Sequence, residues 1–160
     1  MTTLEFVYTT YIKTTPQRLW RALTDPDDVG RYWGVTLETD WTPGSAMVWS
    51  EQGTRVADPG QVVLEATPHR RLSYTGRSFT PDVAKAFGLG EDIYAALARE
   101  RRSTLTFDIE PAGETVKLTL TIDCDPAGTL YDIVSQGWPR ILSNLKTLLE
   151  TGDTLPAHAD

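Results

Sequence analysis

Two periods of apolar residues organise the chain. From Leu4 to Ile12 the period is two, with Leu4, Phe6, Tyr8 and Ile12 on one face and Glu5, Val7, Thr9 and Tyr11 on the other, the pattern of a strand. The alternation returns in Thr104 to Glu110, where Leu105, Phe107 and Ile109 share a face, and in Thr115 to Asp123, where Val116, Leu118, Leu120 and Ile122 do. From Leu130 to Glu150 the spacing lengthens. Trp138, Ile141, Leu142, Leu145, Leu148 and Leu149 draw one stripe down a helix that Gly152 stops, and no other segment is long enough to cover a sheet by itself. Gly137 and Pro139 predict a kink in it, because an interior proline loses a backbone bond and crowds the carbonyl of Ser135. A shorter helix starting at Trp138 is the alternative.

Between these segments, Thr15 before Pro16 and Asp25 before Pro26 each supply an N-cap and a first-turn proline. They predict two short helices in tandem, the first carrying Leu19, Trp20 and Leu23 and the second ending near Trp33. Val35 to Thr39, Ala46 to Ser50, Gln61 to Ala66 and Leu72 to Arg77 then alternate with turns at Thr42 to Gly44, near Gly53 and at Pro68 to Arg70, an antiparallel meander. Thr80 to Arg102 breaks the meander. It is capped by Thr80 and Pro81, interrupted by Gly88 and Gly90, and carries a narrow stripe of Ile93, Ala96 and Leu97. The segment predicts a lightly docked lid; a rigid embellishment and a homodimer contact are the alternatives. The fold class is α+β, one domain over 1–152, with a frayed tail over 153–160. The sheet is expected to turn Phe6, Leu64, Leu72, Tyr74, Leu105, Phe107, Leu118, Leu120 and Ile122 toward Leu142, Leu145 and Leu149.

Composition narrows the function classes without naming one. A net charge of -7 disfavours a nucleic-acid partner, and the cluster Arg99, Arg101 and Arg102 is too short to reverse that. One cysteine, Cys124, excludes an internal disulfide; with only His69 and His158 beside it, no metal and no cofactor are expected. Neither a signal-peptide pattern nor an apolar run of about 18 residues occurs, so a cytoplasmic protein with no membrane partner is expected.

The order of strand, two short helices, antiparallel strands and one long C-terminal helix resembles the helix-grip fold of the START-like (SRPBCC) superfamily. Within it, Leu19-Trp20-Arg21-Ala22-Leu23-Thr24-Asp25-Pro26, Arg31-Tyr32-Trp33-Gly34, Pro68-His69-Arg70-Arg71-Leu72-Ser73-Tyr74-Thr75 and Gly137-Trp138-Pro139 with Leu142, Leu145, Lys146 and Leu149-Glu150 resemble the family named for the activator of the heat shock protein 90 ATPase. The departure is Thr80 to Arg102, where the family pattern leads one to expect a short connection. The resemblance implies a curved sheet of about six to seven strands gripping the last helix, with a cavity between them that relatives use for lipids, hormones, polyketides or antibiotics. It does not imply one activity. In the eukaryotic activators this domain is one part of a longer protein, and here no second domain is expected.

Trp33, Trp41, Trp49, Tyr74, Phe79 and Trp138 either line such a pocket or pack as plain core, and Trp20 reads as core. The expected ligand-binding set is Trp33, Trp49, Glu51, Tyr74, Phe79, Phe107, Trp138, Ile141 and Leu142, with Glu51 the best inward carboxylate because it shares a face with Met47 and Trp49. Catalytic residues are not expected. Cys124 sits between Asp123 and Asp125, whose charge raises a thiol pKa; His69 has no nearby nucleophile in sequence; alternation turns Asp108 outward. The leading reading is a non-enzymatic module holding a small apolar ligand. A chaperone-ATPase cofactor and a cyclase or hydrolase using the same cavity are the alternatives.

Overall fold

Alternation alone places three strands. The computed structural model, which describes residues 3–156, puts β1 at Leu4–Ile12, β6 at Thr104–Ala112 and β7 at Thr115–Cys124, with Phe6, Ile12, Leu105, Phe107, Ile109, Val116, Leu118, Leu120 and Ile122 buried on one face. β2 (Thr36–Glu38), β3 (Ala46–Glu51), β4 (Thr54–Thr67) and β5 (Arg71–Thr75) complete a seven-stranded sheet of order β1-β7-β6-β5-β4-β3-β2, antiparallel throughout. α1 (Pro16–Thr24) and α2 (Pro26–Tyr32) begin as predicted, with Thr15 Oγ1 accepting from Arg18 N and Asp25 accepting from Asp27 N and Asp28 N. The sheet curves around α5 (Thr129–Thr151), giving the helix-grip fold.

α5 runs unbroken through Pro139, so the shorter alternative is not adopted. Its buried residues are Leu130, Trp138, Leu142, Leu145 and Leu148, while Leu149, expected inward, is only half-buried. Polar ties fix it at both ends. Lys146 Nζ donates to Tyr11 O at 2.7 Å, Lys13 N donates to Glu150 at 2.8 Å, and Asn144 Nδ2 donates to Tyr32 O at 3.0 Å. Gly128 leads into the helix at φ +89°, a left-handed conformation that favours glycine but brings no capping side chain. The cap comes from elsewhere: the Glu100 carboxylate accepts from Thr129 N at 3.1 Å and Leu130 N at 3.2 Å.

Four sequence expectations are corrected. β4 is longer than the predicted Gln61 to Ala66, because Pro59-Gly60 is a bend inside one strand. There Asp58 accepts from Gly60 N, while fully buried Gln61 donates to Met47 O and Val56 O and accepts from Ser78 N, taking over the bonds the ladder loses. The register shift between Val63 and Glu65 then reverses the faces, so Val63 is inward and 1% exposed whereas Leu64, expected inward, is 46% exposed. The segment from Thr80 to Arg102 forms α3 (Pro81–Ala86) and α4 (Glu91–Arg99), and it is anchored, not lightly docked. Val83, Ala84 and Leu97 are buried, Arg102 reaches Asp58, Gly76 O and Ser78, and Ile93, expected to dock, is exposed. Finally, Asp153 to Pro156 folds back on α5, where fraying was expected, with Leu155 N donating to Asn144 Oδ1 and Arg140 donating to Pro156 O, each at 2.7 Å. Residues 157–160 of the expected tail, His158 among them, lie outside the described residues.

Leu145 is fully buried where α5 meets the sheet, so Leu145→Ala should cost about 2–5 kcal/mol in chemical denaturation. Glu100→Ala should cost about 1 kcal/mol by removing the remote cap of α5. Values within the ordinary surface range of about ±0.5 kcal/mol would show that neither contact holds the helix.

Candidate functional site

Five aromatic rings close into a circuit under α5. Trp33 meets Trp49 at 5.4 Å between centroids, Trp49 meets Tyr74 at 5.9 Å, Tyr74 meets Phe107 at 5.9 Å, Phe107 meets Trp138 at 6.1 Å, and Trp138 returns to Trp33 at 4.6 Å. Trp41 joins from outside, edge-on to Tyr74 at 5.9 Å, and anchors its Nε1 on Thr24 O. Each element supplies one ring at the place its own pattern dictates: the C-cap of α2, the inward faces of β3, β5 and β6, and the buried stripe of α5.

One side of this circuit borders a cavity of about 230 Å³. From the circuit, Trp33, Trp49 and Trp138 line it; Phe87 and Leu89 from the anchored segment, with Phe79 just before it, form the opposite wall. Leu130, Val134, Gly137 and Ile141 of α5 roof it, and Ile133, 41% exposed, marks the rim. Of the expected ligand-binding set, Trp33, Trp49, Glu51, Phe79, Trp138 and Ile141 lie on this lining. Tyr74, Phe107 and Leu142 do not. They are 1% exposed or less and pack behind the wall, in the core. Trp20 sits at the edge of the core, half-buried and edge-on to His69.

The polar part of the lining is concentrated. Glu51 Oε2 lies 2.7 Å from Arg77 Nη2, with the two side chains 20% and 14% exposed. The Arg77 guanidinium is held between two rings, its Cζ 4.9 Å from the Trp49 centroid and 5.2 Å from that of Phe87. Desolvated cation–π contacts of this kind contribute up to about 2 kcal/mol. Trp49 is 3% exposed, and its Nε1 is the one buried side-chain polar atom without a partner among the described residues. An unmet buried donor costs about 1–3 kcal/mol. Burial pushes the Tyr74 hydroxyl pKa well above its ordinary value, so this ring stays neutral behind the wall.

Lining residues absent from the expected set are Gly76, Arg77, Phe87, Leu89, Ser103, Leu105, Ile122 and the α5 residues Leu130, Ile133, Val134 and Gly137. The apolar residues Phe87 and Leu89 beside Gly88 were the available signal. Arg77, near the end of a strand, gives none. The remaining chemistry candidates lie elsewhere. His69 borders a separate, open depression with Pro68, Arg70 and Pro111. Asp108 faces outward and pairs with Arg71 at 3.1 Å. Cys124 is buried, and burial first, with Asp123 second, pushes its thiol pKa up to about 11. Among the described residues no group of three or more His, Cys, Asp or Glu side chains comes together as a metal site. None of their helices is long and apolar enough to cross a membrane.

Comparisons with known proteins agree with this architecture. The family model described as Activator of Hsp90 ATPase homolog 1-like protein matches residues 13–150. No curated protein matches the chain. Among solved structures, protein MLL2253 from Mesorhizobium loti is 22% identical with a TM-score of 0.71, covering 91% of this chain and 96% of its own. CalU16 from Micromonospora echinospora is 18% identical with a TM-score of 0.68, covering 96% of this chain and 78% of its own. The Aha1 dimer from Colwellia psychrerythraea is 16% identical with a TM-score of 0.65, covering 93% and 98%. At these identities the structures share the fold.

A thiol with its pKa near 11 is almost wholly protonated at pH 8, with about one thiolate in a thousand. Cys124 in the native protein should therefore react with a disulfide reagent at pH 8 at below about a hundredth of the rate seen in denaturant. Rapid native labelling would place the thiol at an exposed, activated position.

Proposed function

The chain belongs to the Activator of Hsp90 ATPase homolog 1-like family, and within it we propose that this protein holds a small apolar molecule in the cavity under α5 without transforming it. The supporting observation is the lining itself, three tryptophans and two phenylalanines around one ion pair. Sites for small molecules have this character, mostly apolar with a few placed polar groups. The volume of about 230 Å³ lies below the usual range of roughly 300–1,000 Å³ for drug-sized ligands, so a one- or two-ring molecule is the appropriate size.

The ion pair argues against the enzymatic alternative. A general base must be free to accept a proton, and Glu51 is committed to Arg77 at 2.7 Å. The lining offers no second carboxylate, histidine or thiol to act with it. Family membership favours one further reading, contact with a chaperone ATPase of the heat shock protein 90 type. Stimulation of that ATPase by the purified protein, unchanged by ligands of the cavity, would favour it over the cavity reading.

Ethylbenzene serves as a minimal apolar probe. It should raise the thermal midpoint of the native protein and change its tryptophan emission, since three of the five tryptophans line the cavity. Val134→Phe puts a ring into the cavity from a half-buried position on α5 and should weaken ethylbenzene binding at least about tenfold with the midpoint unchanged or higher. Trp138 is too deep in the ring circuit for its truncation to separate binding from folding. Binding that survives Val134→Phe unchanged would move the ligand site elsewhere.

A further inference from the structure

The polar end of the cavity distinguishes among apolar ligands. Among the described residues the Arg77 guanidinium meets one polar partner, Glu51 Oε2, so most of its five N–H donors stay open. Trp49 Nε1 also lacks a partner, but it is fully buried and does not open onto the cavity. The open N–H groups of Arg77 are therefore the donors that a ligand can meet at this end. The charges, however, already balance. Glu51 and Arg77 are the only ionisable side chains of the lining apart from each other's pairing, and they cancel.

We propose, resting on the cavity reading above, that the site selects a small uncharged molecule whose apolar body lies on the tryptophans and whose single carbonyl-type oxygen accepts from Arg77. The body stacks on Trp33 and Trp138, whose rings face the cavity from α2 and α5. An anionic headgroup is disfavoured on two counts. It would have to compete with Glu51 for Arg77 in a mostly buried place, leaving one negative charge uncompensated, and it would approach a chain whose net charge is already -7. A neutral carbonyl meets neither obstacle, because it uses donors the ion pair leaves open. A purely hydrocarbon ligand fills the same volume but leaves those donors unmet.

Three near-isosteric probes separate these cases: ethylbenzene, acetophenone and benzoate, titrated into the 160-residue chain by calorimetry with the tryptophan indole N–H resonances followed by NMR. Acetophenone should bind about tenfold tighter than ethylbenzene, and benzoate no tighter than ethylbenzene. The Trp33 indole resonance, assigned by its loss in Trp33→Phe, should move with both acetophenone and ethylbenzene, because that ring lines the cavity whichever body fills it. Arg77→Met keeps the apolar stem between Trp49 and Phe87 and should erase the preference for acetophenone. Equal binding of acetophenone and ethylbenzene would overturn this inference while leaving the cavity reading intact, and so would tightest binding of benzoate, which would make Arg77 an anion site. If none of the three binds, the cavity reading fails and this inference with it.

Discussion

The fold depends on the ring circuit that ties α5 to the sheet. A seven-stranded sheet is roughly 30 Å across at its usual strand spacing, whereas a helix with its side chains covers about 10–12 Å. One helix cannot bridge that width with leucines. Trp33, Trp49, Tyr74, Phe107 and Trp138 can, because each ring reaches farther than an aliphatic side chain and contributes about 0.5–1.5 kcal/mol per pair beyond its buried area. The five come from five elements, so none of these contacts exists until the others are nearly in place. That makes the grip cooperative. It also explains the void beside it, since flat rigid rings locked at edge-on and tilted angles cannot relax to fill the space beyond them.

Polar groups around the circuit fall into two kinds. Those that interrupt the sheet are fully served: Gln61 satisfies three backbone groups at the β4 bend, and Arg102 closes the junction between Asp58, Gly76 and Ser78. Arg77, which lines the cavity, meets only Glu51 among the described residues, and Trp49 Nε1 is buried without a partner. The bonds missing from the polar inventory thus gather next to the cavity and not at the bends of the sheet.

Most of the architecture was legible from residue patterns. The paired Thr-Pro and Asp-Pro starts gave α1 and α2, alternation gave β1, β6 and β7, and the stripe of Trp138, Leu142 and Leu145 gave α5. Alternation failed where two residues opposed one, since a bulge is invisible to a period of two, and Leu64 was assigned the face that Val63 occupies. Strand pattern also finds an inward face without telling a cavity wall from the core behind it, so Tyr74, Phe107 and Leu142 were grouped with Trp33 and Trp49. Arg77 could not be found at all. Its role comes from Trp49, Phe87 and Glu51, brought together only by the fold. The cap on α5 was hidden for the same reason, because Glu100 and Gly128 belong to different segments.

The segment from Thr80 to Arg102 therefore does two jobs. Phe87 and Leu89, with Phe79 just before the segment, build the wall opposite the circuit, and Phe87 holds Arg77 in place; Glu100, near the segment's end, holds the first turn of α5. The roof and the far wall of the cavity are thus fastened to each other through one carboxylate, outside the cavity itself. Anything that orders the wall, a ligand on Phe87 and Arg77 included, also favours the conformation in which Glu100 reaches Thr129 N and Leu130 N, and by linkage the cap in turn favours the wall. Neighbouring structures of this fold share the sheet and the last helix at identities of 16–22%. In this chain Phe87 and Leu89 of the 80–102 segment supply part of the cavity wall, whereas the grip of sheet on helix rests with the five rings.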